Sequence, residues 1–172
     1  MGGIYPPEFD CEVELSDGRC VYVRPLNFDE YDKLEELYTK STKESLRKRF
    51  GWTDAREWLR SIKGCVDTGN MCLVAEYHNE KGKLHVIGDC WYFLDKNSGS
   101  AEVSILVRDD FQNKRLGTQM MRQLVEIAKK EGLYRLFALV NVTNTPMLRI
   151  VQRLQFQFVH GADGSNLYRL DF

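Results

Sequence analysis

No apolar run in the 172 residues is long enough to cross a bilayer, and the first residues lack the basic-then-apolar pattern of an export signal. Position 6 is Pro6, where a myristoylation signal needs Ser or Thr. Basic excess is missing too. The 24 Lys and Arg stand against 25 Asp and Glu, a net charge of −1, which argues against the footprint of a nucleic-acid binder. Cys11, Cys20, Cys65, Cys72 and Cys90 are odd in number and irregular in spacing, with no Cys-x-x-Cys pair, so no zinc or other metal site is expected. These absences predict a cytoplasmic protein with reduced thiols that binds neither membrane nor nucleic acid. What is present is ordinary for a globular chain: 43% hydrophobic and 28% charged residues, in a length that suits one domain with a real core.

Residues 1–10 read as a loose arm and residues 11–172 as a single domain, without repeats or linkers. CEVEL and RCVYVR flank Ser16-Asp17-Gly18, a strong hairpin signal, and Pro25 ends the second strand. Asn27 with Glu30 predicts a capped helix bearing Phe28, Tyr31, Leu34 and Leu37 at helical spacing. Ser41 with Glu44, and Asp54 with Glu57, predict two further capped helices, the last burying Trp58, Leu59 and Ile62 and stopping at Gly64. MCLVAEYH, LHVIGDCWYFL and AEVSILV then read as an antiparallel meander. A helix follows from about Leu116 to Gly132, then a strand over RLFALV, a helix opened near Asn144 and Pro146, and two short strands. This order predicts an α/β (α+β) domain with a mixed sheet.

The stretch DDFQNKRLGT, residues 109–118, joins a strand to a helix through a loop rich in amide donors. The first N–H groups of a helix have no intrahelical partner, and the helix dipole favours negative charge there, so this junction suits a pyrophosphate. The backbone N–H groups of residues 112–118 (Gln112, Asn113, Lys114, Arg115, Gly117 and Thr118 among them) are the candidate donors, with Lys114 or Arg115 adding charge. Arg115 offers its N–H on condition that its φ is negative. A plain loop-to-helix junction is the structural alternative. Glu102 lies in the strand before it, where A-E-V-S-I alternation would also place a solvent-facing glutamate.

Element order and motif together resemble the GNAT superfamily of acetyl-CoA-dependent N-acetyltransferases. That family's loop signature, Gln/Arg-x-x-Gly-x-Gly/Ala, reads here Gln112-Asn113-Lys114-Arg115-Leu116-Gly117, with Arg115 in place of the first glycine. Its later Asn-x-x-Ala reads Asn144 to Met147, and its Leu-Gly-Phe reads Leu154-Gln155-Phe156. ELSDGRCVYVRPL, STKESLRKRF, AEVSILVRDDFQ and MLRIVQRLQF look like segments of the acetyltransferase domain of Pat-type protein lysine acetyltransferases. The resemblance implies a GNAT fold, with a mixed, mostly antiparallel central sheet flanked by helices. It implies acetyl-CoA as co-substrate and a protein lysine as acceptor, with an acyl-CoA synthetase as the partner that the Pat group suggests. A small-molecule amine is the second enzymatic reading. A non-catalytic acyl-CoA sensor is the third, suggested by Arg115 and by Val151 standing where many members carry a general-acid Tyr. A monomer or a homodimer is expected.

The resemblance gives Glu102 the role of general base. An amine of pKa ~10.4 is neutral only about 0.04% of the time at pH 7, a deficit near 4.6 kcal/mol. A partly buried glutamate beside the thioester can take the proton directly or through water. It also implies that Ile105, Leu106 and Val107 splay from the next strand and pair with the pantetheine arm, to which Asn144 adds an amide. Asn144 as a helix N-cap is the compatible alternative. His78, His85 and His160 read as structural. Lys43, Arg47, Lys48 and Arg49 fall on the acceptor side in such a fold, or on a solvated helix face.

Overall fold

Between β1 (Cys11–Glu14) and β2 (Cys20–Pro25) the chain reverses at Gly18, whose φ of 83° suits glycine. Leu15 and Arg19 close the turn with an N–H to carbonyl bond of 2.8 Å. The computed structural model describes residues 7–27, 30–51, 56–62 and 69–172. β3 (Met71–His78), β4 (Leu84–Asp95) and β5 (Ser100–Val107) continue the meander antiparallel from β2. β6 (Arg135–Asn141) joins parallel to β5. β7 (Gln157–Ala162) and β8 (Ser165–Asp171) complete an eight-stranded sheet in the order β1-β2-β3-β4-β5-β6-β8-β7. The expected mixed, mostly antiparallel sheet is the one observed.

Helices cover both faces. α1 (Tyr31–Lys40), α2 (Lys43–Phe50) and α3 (Arg56–Ile62) press Leu34, Leu37, Leu46 and Ile62 against Val74 and Trp91. α4 (Leu116–Lys130) and α5 (Thr145–Arg153) bring Met120, Met121, Leu124 and Val151 to the opposite face, with Val23, Leu73 and Ile87. Each fully buried side chain of this size contributes about 1.5–3 kcal/mol. Strand alternation then decides which residues see which layer. On β5, Ala101 and Val103 pack in the α4 core and Leu106 in the α1–α3 core, which puts Glu102 and Ser104 on the α1–α3 side.

Two helix starts differ from expectation. α1 begins after Glu30 rather than after Asn27, although Glu30 still accepts the Asn27 N–H at 3.1 Å. Glu30 is drawn instead to Arg24, whose guanidinium bonds Glu30 at 2.7 and 2.8 Å and Glu76 at 2.6 and 3.1 Å. Thr42, not Ser41, caps α2, accepting the Ser45 N–H at 3.3 Å, while the Ser41 hydroxyl donates to the Leu37 carbonyl. Residues 1–6 of the arm, Phe28, Asp54, Gly64 and Cys65 lie outside the described residues. Phe9, which the loose-arm reading left in the arm, is buried in the main core.

The feature that positions the site is an incomplete pairing. β5 and β6 are in register only at Ser100–Arg135, Ala101–Leu136 and Glu102–Phe137. Beyond Glu102, β5 stays with β4 as far as Val107, and β6 stays with β8 as far as Asn141. The two middle strands therefore part, and a wedge opens between them.

Candidate active site

Residues 109–118 lead from β5 into α4, and nearly every early side chain among them braces the loop. The Asp109 carboxylate accepts the Thr42 N–H at 2.9 Å and the Thr42 and Ser45 hydroxyls at 2.8 and 2.7 Å, which ties α2 to the loop. Burial alone would raise this carboxyl, but those donors outweigh it and hold it below the usual range. Arg108 grips Asp110 through two parallel bonds of 2.7 and 2.8 Å. Phe111 is buried beneath the Arg19 guanidinium, 3.9 Å from its ring centroid. Gln112 donates its side-chain amide to the Val107 carbonyl at 2.8 Å and to the Ser45 hydroxyl at 3.1 Å, and its N–H goes to the Asp109 carbonyl.

From Asn113 the character changes. Among the described residues, no acceptor is found for the backbone N–H groups of residues 113–118. Two of these residues are left-handed, Asn113 at φ 58° and Arg115 at φ 70°. Runs that mix the two hands turn successive N–H groups into one concavity, an anion-binding nest. Arg115 is the N-cap of α4 and its side chain accepts nothing, so no group of the chain itself competes for the first helical amides. Its φ is positive, so the condition of a negative φ does not hold, yet its N–H meets no acceptor among the described residues. A left-handed non-glycine residue costs roughly 1–2 kcal/mol, which gives a physical reason for glycine at this place in the related motif. Gly117 serves close packing instead: a Cβ there would lie 3.1 Å from Ile150 Cδ1 and 3.6 Å from Ile105 Cδ1.

This loop, the open edge of β5 and the start of α5 enclose a cleft of about 340 Å³. Ile105, Leu106, Val107, Gln112, Asn113, Arg115, Gly117, Thr118 and Asn144 all line it. Lys114 does not; it turns to the β1–β2 turn, 3.8 Å from Asp17. The three β5 residues are not equivalent. The Leu106 N–H donates to buried Asp89 and the Arg108 N–H to the Ile87 carbonyl, so this set of N–H groups faces β4. Alternation then turns Ile105 and Val107 to the wedge, where Gln112 already holds the Val107 carbonyl. Asn144 caps α5 by accepting the Met147 N–H at 3.3 Å, and lines the cleft as well.

A second cleft, of about 350 Å³, adjoins the first; Lys48, Arg49, Ile105, Asn144 and Met147 line both. Glu102 lies here, beside Ser104 and Leu139 and an aromatic wall of Trp58 and Phe93, whose rings meet edge to face at 5.3 Å. Glu102 is exposed, not partly buried as expected. Lys48 is tied to Glu44 one turn back, and the Arg49 guanidinium lies 4.6 Å from the Phe50 ring and 5.1 Å from that of Trp58. Arg47 and Lys43 line neither cleft. Behind this wall Asp89 accepts from Tyr38, Trp91 and Leu106. Burial pushes its carboxyl up, against the pull of Arg49 and those donors.

Sequence reasoning missed the aromatic wall, and it missed Arg149 and Arg153, which line the first cleft from α5. The wall depends on Trp58 of α3 meeting Phe93 of β4, which no local pattern announces. Arg149 and Arg153 stand four apart on one helix face, and that spacing was readable. His85 is structural: its Nδ1 lies 2.9 Å from Glu36 and its Nε2 3.3 Å from Asn79. Val151, where a tyrosine general acid is common, is fully buried. Among the described residues no group of His, Cys, Asp and Glu could hold a metal, and no helix is long and apolar enough to cross a membrane.

The whole chain is similar in shape to the GNAT domain of S. lividans PAT, with a TM-score of 0.84 and 21% identity over 98% of this chain and 99% of that one. It is also similar to yncA, a putative acetyltransferase from Salmonella typhimurium solved with its cofactor acetyl-CoA. There the TM-score is 0.68 and the identity 17%, over 88% and 93% of the two chains. In sequence it is 24% identical to Acetyltransferase PA5475 of Pseudomonas aeruginosa over 145 residues, 83% of this chain and 77% of that protein. A shorter match, 33% over 67 residues and 39% of each chain, is to the L-methionine sulfoximine/L-methionine sulfone acetyltransferase of the same species. The Acetyltransferase (GNAT) family matches residues 31–156. That span runs from the first residue of α1 to just past α5 and takes in every element that shapes the two clefts, so the chain belongs to the acetyltransferase (GNAT) family.

Proposed function

We propose that this acetyltransferase moves an acetyl group from acetyl-CoA directly to the side-chain amine of a protein lysine, with Glu102 as general base. The observation that carries the proposal is the parting of β5 from β6 immediately beyond the Glu102–Phe137 pair. The free amides of residues 113–118 take the CoA diphosphate at one end of the wedge. The pantetheine arm then runs along the open edge at Ile105 toward Asn144, as an added strand would. That route brings the thioester to the junction of the two clefts, with Glu102 on the acceptor side.

The second cleft favours a lysine chain. Trp58 and Phe93 offer apolar faces to its methylenes and a ring face to its ammonium. Glu102 then removes the proton, directly or through water, and the neutral amine attacks the thioester carbonyl. The zwitterionic tetrahedral intermediate collapses with loss of the CoA thiolate, a leaving group stable enough to depart without a tyrosine acid, and the second proton of the former amine passes to that thiolate or to water. Alignment of the two substrates supplies ~7–11 kcal/mol of the acceleration by itself. Desolvation of the exposed Glu102 comes from the bound substrates. A protein acceptor is in keeping with the solved ribosomal L7/L12 alpha-N-protein acetyltransferase to which the fold is similar, with a TM-score of 0.70. An acyl-CoA synthetase as the acceptor rests on the Pat-like sequence segments. A free amino-acid amine is the second reading, favoured by the methionine sulfoximine acetyltransferase match.

Glu102→Gln is expected to lower kcat/KM by roughly 10²–10⁴ at neutral pH and to remove the low-pH limb of the pH–rate profile. An unchanged profile overturns the base assignment. Incubation of a lysate with labelled acetyl-CoA, read by mass spectrometry, identifies acceptor lysines; label confined to small molecules overturns the protein-acceptor reading.

A further inference from the structure

Among the described residues, four arginines line the first cleft: Arg49, Arg115, Arg149 and Arg153. No described carboxylate lies within ion-pair distance of any of them. Arg115, Arg149 and Arg153 are exposed, so solvent meets their charge. Arg49 differs in two ways. It alone of the four also lines the second cleft, where Glu102 lies. Its Nε and Nη2 are shut off from solvent and bond to no described residue. The Phe50 and Trp58 rings beside it attract the charge but do not replace hydrogen-bond acceptors. Buried Asp89 feels the same charge, yet its oxygens are taken by Tyr38, Trp91 and the Leu106 N–H, and no ion pair forms. Lys48, in the same cleft, is held by Glu44. Ser104, on the same side of β5 as Glu102, also lines the second cleft with a buried, unbonded Oγ.

Burying an unpaired cation is costly, so an anion from outside the chain accounts best for Arg49. The charges of the second cleft point the same way. Glu102 attracts a cationic amine, but Arg49 repels it. An acceptor that brings an ammonium alone meets that repulsion. One that carries a carboxylate beside its amine meets each charge with its opposite. A carboxylate also has acceptor oxygens for the N–H pairs of a guanidinium and a lone pair to spare for a hydroxyl such as that of Ser104. We propose that Arg49 is a specificity residue, which receives a carboxylate carried by the acceptor close to the amine that Glu102 deprotonates. In a protein acceptor this group is the side chain of an aspartate or glutamate next to the target lysine. In a free amino acid it is the α-carboxylate. The inference rests on the second cleft as the acceptor site and extends that reading to what the acceptor must carry.

The test measures kcat/KM of the full chain, with acetyl-CoA, for acceptors that differ in one carboxylate. Peptides with blocked ends carry a single lysine followed by glutamate or by glutamine, and free lysine is set against lysine amide. The glutamate peptide is expected to have a kcat/KM about tenfold to a hundredfold above the glutamine peptide, the scale of a hydrogen bond to a charged group, with the difference in KM. Arg49→Gln should bring that ratio close to one, and Arg49→Lys, which keeps the charge without the fork, should keep part of it. Both acceptors meet the same folded molecules, so the ratio does not depend on how much of a variant folds. A preference confined to free lysine over its amide supports the subsite and assigns it to a free amino acid, against the protein-lysine reading. Equal kcat/KM for acid and amide acceptors in the unaltered enzyme, or a ratio that survives Arg49→Gln, overturns the subsite. So does transfer to none of the four, because a carboxylate beside an amine then does not make an acceptor. Labelling of lysate proteins still reports on the proposed function by itself, which keeps the two failures apart.

Discussion

Arg115 combines a backbone cost with a cleft-lining side chain, and the two can be separated by one substitution. Its φ of 70° favours glycine, while its guanidinium faces a cleft without acidic residues. Arg115→Gly is expected to stabilise the fold by up to about 1 kcal/mol and to weaken acetyl-CoA binding at once. Urea titration and calorimetry read the two signs independently; unchanged affinity would remove the side chain from the donor site. Gln112, Asn113, Gly117 and Asn144 were legible in the sequence as positions because the motif orders them. Their division of labour was not. The Gln112 amide is committed to Val107 and Ser45, and Lys114 turns to Asp17, because each answers a partner far away in sequence.

At the scale of elements, the hairpin at Gly18, the extent of α4 and the Asn144 cap of α5 were readable because each follows from a few adjacent residues. The starts of α1 and α2 were misplaced where two residues compete for the cap, or where a distant charge decides the matter. Arg24 on β2 fixes Glu30 and so the first turn of α1. Burial alone would raise the Glu30 carboxyl, but the bonds from Arg24 and Lys33 and from the Asn27 N–H outweigh it and bring its pKa to about 2. The unfolded chain titrates near 4.3, so Glu30 binds protons less readily when folded. Its contribution is full above about pH 4.3 and is lost as the pH falls toward 2. Urea midpoints measured from pH 7 down to pH 2.5 should therefore fall more steeply for the unaltered protein than for Glu30→Gln. Parallel curves would show that Arg24 does not hold this carboxylate in solution. Removing the cation instead, as Arg24→Leu, leaves buried Glu76 with Lys33 alone, 3.5 Å away, and should cost about 3 kcal/mol.

For the whole molecule, the decisive feature is a relation between strands remote in sequence, and hydrophobic periodicity cannot express it. AEVSILV and RLFALV each announce a strand, yet nothing in either says that they meet over three residue pairs and then diverge. Donor binding should register across this boundary. Acetyl-CoA at a hundredfold excess over its Kd raises unfolding free energy by about 2.7 kcal/mol. Hydrogen exchange is expected to slow most at residues 113–118 and at Ile105, while the β1–β2 hairpin stays as it was. Equal slowing throughout would argue against a ligand seated in the wedge.

The short contact between β5 and β6 also has a mechanical side. The sheet consists of a five-stranded panel, β1 to β5, and a three-stranded panel, β6, β8 and β7, seamed along Ser100, Ala101 and Glu102 only. A seam confined to one end resists torsion poorly, and a molecule laid in the open end acts as a strut between the panels. On the proposed route the donor would complete the load path of the sheet, and stiffness would be something the enzyme acquires at each turnover and gives up when CoA leaves.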